Sequence, residues 1–78
     1  MPKLPRVTAR RMVAALRRAG FVERRQTGSH LILRHPETRQ MAVVPQHTGA
    51  MSAHLTRSIL RQAGLTANDL RELLGKKR

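Results

Sequence analysis

The stretch Thr27-Gly28-Ser29-His30-Leu31-Ile32-Leu33 constrains the fold of this chain more than any other. A tight turn at 27–29 delivers a histidine to the start of an apolar strand predicted over His30–His35. Strand alternation places Leu31 and Leu33 on one face and His30, Ile32 and Arg34 on the other. The chain must therefore supply cover for one side of a sheet.

The flanking segments supply that cover. Thr8 is placed to cap a helix whose Ala9, Met12, Val13 and Leu16 form one apolar stripe, with Arg10, Arg11, Arg17 and Arg18 around it and Gly20 as a left-handed stop. Phe21–Gln26 reads as a first strand. Pro36-Glu37-Thr38-Arg39 is a hairpin connection, and Gln40–Val44 a third strand closed by Pro45. Residues 46–54 read as a loop. A second helix is predicted over Leu55–Ala63, stopped by Gly64. Thr66 then caps a short third helix, with Asp69 at the capping-box position and Leu70, Leu73 and Leu74 packing it down. The order is α-β-β-β-α plus a short C-terminal helix. It predicts an α+β fold, a three-stranded antiparallel sheet with helices on one face, as in double-stranded-RNA-binding domains. Residues 1–78 form one domain, with an extended arm over 1–7 and a basic tail over 75–78.

Charge narrows the partner. Sixteen Lys+Arg stand against four Asp+Glu, a net charge of +12, and thirteen of the sixteen are arginine, whose planar fork suits phosphate. Nucleic acid leads; an acidic protein and an anionic membrane surface follow. Phe21 is the only aromatic residue, which argues against recognition by base stacking on aromatic platforms and for phosphate-driven binding. There is no cysteine, which fits a reducing cytoplasm, and neither a signal peptide nor a membrane span is expected. The four acids, Glu23, Glu37, Asp69 and Glu72, are scattered, so neither a metal site nor a cofactor is expected; a phosphate-cradling Gly-rich loop is also missing.

The ordered set Gly20-Phe21, Gly28-Ser29-His30, Arg34-His35-Pro36, Val44-Pro45-Gln46-His47 and Arg57-Ser58-Ile59-Leu60-Arg61-Gln62-Ala63-Gly64-Leu65 resembles the HicA toxin family over about residues 5–70. The resemblance implies a double-stranded-RNA-binding-like domain that acts as a ribonuclease toxin on messenger RNA and halts translation. It implies a catalytic histidine in the Gly-Ser-His turn, here His30, and a HicB-type antitoxin that covers the active site. Residues 49–54 depart from the family pattern: many members carry Gly-Thr just ahead of the second helix, where His54 and Leu55 stand here.

RNA carries its own nucleophile, the 2′-hydroxyl. A minimal ribonuclease must hold the phosphate in line, move a proton and stabilise phosphorane charge. His30 is the candidate acid or base, typically worth ~10²–10⁴-fold. Gly28 would shape the turn, Ser29 offer a hydroxyl or amide donor, and Arg24, Arg25 and Arg34 clamp phosphates. The plainer alternative for His30 is a strand-end histidine bonded to the turn. His47 is a possible second acid or base, or else loop structure; His35 is expected to be structural and His54 solvated. A Ser29–His30 nucleophilic pair is excluded, because adjacent strand residues point to opposite faces. The alternative function is an RNA-binding module of the same fold without catalysis. A DNA-groove reader built on Arg57 and Arg61 is more distant, since the chain has no helix-turn-helix pattern.

Overall fold

The computed structural model of the protein describes residues 4–46 and 49–75. The elements run α1 (Ala9–Arg18), β1 (Val22–Thr27), β2 (His30–Arg34), β3 (Met41–Pro45), α2 (Ala53–Ala63) and α3 (Ala67–Gly75). The strands form an antiparallel meander in the order β1-β2-β3, and the helices cover one face, as the sequence predicts.

Each helix starts and stops where its chemistry dictates. Thr8 Oγ1 accepts from the Arg11 N–H at the start of α1. At its end the Gly20 N–H reaches Arg17 O and the Phe21 N–H reaches Leu16 O. This pair of bonds needs a left-handed residue, and Gly20 has φ 107°. Gly64 closes α2 in the same way. At α3 the Thr66 hydroxyl accepts from the Asp69 N–H while the Asp69 carboxylate accepts from the Thr66 N–H, a complete reciprocal capping box. Arg18 donates to Leu73 O at 2.7 Å, satisfying a carbonyl in the last turn of α3 and tying α1 to α3.

The core lies between helices and sheet. Met12, Ala15 and Leu16 from α1, Leu31 and Leu33 from β2, Ala42 and Val44 from β3, Ile59, Leu60 and Ala63 from α2, and Leu70 from α3 are buried there with Phe21. Each large side chain so buried contributes ~1.5–3 kcal/mol. Thr56 is the buried polar side chain of the core, and its hydroxyl donates to Ser52 O at 2.8 Å. The outer edge of β3 is partly covered, because the Val43 N–H donates to Gln62 Oε1 on α2. The β1 edge is bulged and carries two arginines, both devices that discourage pairing with another chain.

Several boundaries differ from those read in the sequence. Phe21 precedes β1 and is buried, so the strand starts one residue later. His35 leaves β2 to organise the following turn. β3 starts at Met41 and includes Pro45, which lies opposite His30. α2 begins at Ala53, two residues early, because Ser52 Oγ accepts from the Leu55 N–H and caps it. The loop before α2 and the N-terminal arm also meet: Thr8 bridges Ala50, the Met51 N–H donates to Val7 O, and both Val7 and Met51 are 1% exposed. Residues 4–7 of the arm therefore lead into the core. Of the tail, Gly75 ends α3 and residues 76–78 lie outside the described ones.

Candidate active site

The turn that presents His30 is a two-residue hairpin, since Thr27 pairs with His30 and only Gly28 and Ser29 lie between them. Gly28 has φ 56° and Ser29 is not left-handed, the pattern of a II′ turn with glycine at its first central position. A Cβ on Gly28 would meet nothing within 4 Å. The requirement there is backbone conformation, not space. Gln26 Nε2 donates to Gly28 O at 3.4 Å, and the Gln46 N–H donates to Ser29 O, fastening the turn from both sides.

His30 is exposed on the sheet face that carries no helix, with Ile32 and Arg34 following on the same face. Its imidazole has no hydrogen-bond or ion-pair partner among the described residues, so the alternative of a histidine bonded to the turn is not what is found. Its neighbours across the sheet are Thr27 and Pro45. Both ring nitrogens are free to meet a ligand. The Ser29 side chain is exposed in the turn beside it.

The predicted arginines do not form one cluster. Arg25 pairs with Ile32 and so lies on the face of His30, one diagonal away across the strand pair at ~7–8 Å. Arg34 shares the face but stands four residues along β2, about 13 Å at the usual rise of a strand. Arg24 occupies a β-bulge: the register passes from Glu23 opposite Leu33 to Arg25 opposite Ile32, with Arg24 unpaired between them. The extra residue turns Glu23 toward α1, where its carboxylate meets Arg17 at 3.3 Å, and leaves Arg24 lining a recess with Arg34 on the open face. A third arginine, Arg39, lines the same recess and was not among the expected site residues. Its only sequence signal is its place in the turn after Pro36.

The other histidines separate cleanly. His35 Nδ1 accepts from the N–H groups of Glu37 (3.1 Å) and Thr38 (3.3 Å), and its ring stands edge-on to Phe21 at 5.2 Å. That is a structural role, as expected. His54 is exposed in the first turn of α2, also as expected. His47 lies outside the described residues. Among the described residues no three His, Cys, Asp or Glu side chains are grouped to hold a metal ion, and no helix is long and apolar enough to cross a membrane.

An α-β-β-β-α-α domain with one helix-covered and one open, arginine-bearing sheet face belongs to the double-stranded-RNA-binding-like class of α+β folds. The family model of the HicA toxin of bacterial toxin-antitoxin systems matches residues 9–65, from the start of α1 to just past the end of α2. The chain belongs to the HicA toxin family. Its role is that of a toxin, and such a system pairs the toxin with an antitoxin. No curated protein matches the chain.

Proposed function

We propose that the chain is a metal-independent endoribonuclease that cleaves messenger RNA in the cytoplasm and so blocks translation, with His30 as the proton-transfer residue. The observation that carries this reading is His30 itself: a solvent-facing imidazole with no partner among the described residues, held by a fastened II′ turn on a basic sheet face. A histidine kept for structure is expected to look like His35, with its ring nitrogen occupied and its ring packed.

In this reading RNA lies along the open face. Arg25 holds the scissile phosphate beside His30, and Arg24 and Arg34 hold backbone further along. Gly28 shapes the turn, while Ser29 offers a hydroxyl or amide donor to a phosphate oxygen. His30 removes the 2′-hydroxyl proton as that oxygen attacks phosphorus, or protonates the departing 5′-oxygen; His47 is the candidate for the complementary step. The carboxylates are poorly placed for metal catalysis, since Glu23 is engaged by Arg17 and Asp69 by the α3 cap. A HicB-type antitoxin with an acidic surface would silence the enzyme by covering His30 and the arginines together, charge speeding association and shape setting affinity.

The products test the chemistry. Attack by the 2′-hydroxyl leaves 2′,3′-cyclic phosphate or 3′-phosphate ends, as end-labelling or mass spectrometry of the fragments would show. Uniform 3′-hydroxyl ends would contradict it. Tight RNA binding by the wild type with no cleavage would instead favour a binding module of the same fold.

A further inference from the structure

At the end of the open sheet face away from His30, Val22, Arg24, Arg34, Pro36 and Arg39 line a recess of about 410 Å3. Its three guanidiniums come from separate pieces of chain: the β1 bulge, the end of β2 and the β2–β3 turn. No carboxylate lines it, and none of the three has an ion-pair or hydrogen-bond partner among the described residues. Like charges gathered in this way repel one another until an anion joins them.

Two backbone irregularities bring them together. The bulge lets Arg24, two residues after Val22, and Arg25, opposite Ile32, both lie on the open face, where regular alternation would allow only one of them. Arg39 has φ 67°, the only positive φ at a described residue other than glycine, a conformation that glycine or asparagine adopts at less cost. Its N–H donates to His35 O within the turn, while its side chain contributes to the recess. Apolar surface adjoins the charge: Val22, Arg34 and Met41 form one row across the three strands. Val22 and Met41, 51% and 47% exposed, are the large hydrophobic side chains that the described residues leave in solvent.

We propose that this recess is a second nucleotide subsite, at which Arg24, Arg34 and Arg39 bind an internucleotide phosphate removed from the scissile one and Val22 and Met41 receive the adjoining sugar and base. The assignment rests on the reading of the open face as an RNA track. A strand leaving His30 along β2 reaches Arg34 after about 13 Å. In a chain with no Tyr or Trp, the guanidinium plane of Arg34 between two apolar shoulders is the surface on which a base can stack. The subsite acts on binding, away from the reacting atoms, and favours longer strands over dinucleotides.

The test measures binding of a fluorescent single-stranded RNA oligonucleotide across a salt series, with the full chain in a His30→Ala background. Arg24→Gln, Arg34→Gln and Arg39→Gly are each expected to weaken binding several-fold. Each should also reduce the magnitude of the slope of log K against log salt by about 0.7 for every phosphate that is no longer neutralised. Arg61→Gln, an equal charge change on α2, is expected to leave the slope unaltered. Glycine adopts the φ of Arg39 without strain, and this gain nearly offsets the added freedom of the unfolded chain, so an unchanged melting temperature alongside weaker binding separates the subsite from a folding defect. Slopes unchanged in all three recess variants, or reduced equally by Arg61→Gln, would overturn the assignment. Binding is read without cleavage, so a wild type that fails to cut RNA would refute the proposed reaction and leave this measurement able to decide the subsite alone.

Discussion

On β2, Leu31 and Leu33 lie under the helices, while His30, Ile32 and Arg34, their immediate neighbours, face away. β3 repeats the division, with Ala42 and Val44 buried and Met41, Val43 and Pro45 on the other side. One face of the sheet is thus closed by packing and the other is left open, with His30, Arg25 and Arg34 on it. Alternation within a single strand separates what holds the domain together from what it can offer a ligand. A substitution one residue along can therefore move from a stability effect to a functional one.

Truncating one residue of each parity shows whether the two faces differ in this way. Leu33→Ala should destabilise by ~2–5 kcal/mol, a large part of what a domain of this size possesses. Arg34→Ala, the next residue, should change stability by no more than ~0.5 kcal/mol. Urea unfolding of the two variants checks both, and similar losses would abolish the distinction. Two glycines divide in the same way. Gly20→Ala places a Cβ 2.6 Å from His35 Nε2 at φ 107°, and a loss of ~1–3 kcal/mol is expected in thermal melts. Gly28→Ala meets open space and suffers only its left-handed φ, so a loss of about 1 kcal/mol is expected.

Smaller effects follow. Thr66→Ala removes half of the α3 capping box and should lower stability by about 1 kcal/mol while RNA affinity stays as in wild type. A fall in affinity would show that the helix layer touches RNA. Arg39→Gly should also have a small effect: relief of strain in the folded state and added freedom in the unfolded chain nearly cancel, leaving stability within about 1 kcal/mol. A larger loss would mean that the Arg39 side chain supports the turn.

Much of this arrangement could be read from the residues. Period-3.6 and period-2 patterns give α1 and β2, and Gly20, Gly28 and Gly64 mark three of the five described places where the backbone turns left-handed, Arg39 and Gly49 being the others. The parity that exposes His30 follows from Leu31 and Leu33 alone. What escaped depends on pairing partners distant in sequence. Nothing local in Val22–Thr27 announces the bulge, which shows only in the pairing of β1 with β2, where Glu23 lies opposite Leu33 and Arg25 opposite Ile32. Val7 and Met51 enter the core only because the arm and the loop before α2 meet across the fold. The expected arginine clamp divides for the same reason. Arg24 and Arg25 are adjacent in sequence, yet the bulge gives one to the distal recess and leaves the other near His30. The start of α2, expected at Leu55, is the exception: its cap is local, since the Leu55 N–H donates to Ser52 Oγ, and the helix begins at Ala53.

Catalysis by His30 is tested with purified wild type and His30→Ala, matched by their unfolding curves, on a long single-stranded messenger RNA in excess EDTA. Cleavage by the wild type is expected, with at least ~10²-fold slower cleavage by the variant and unchanged stability and RNA affinity. Equal cleavage by both proteins would contradict it, and so would cleavage by the wild type that EDTA abolishes.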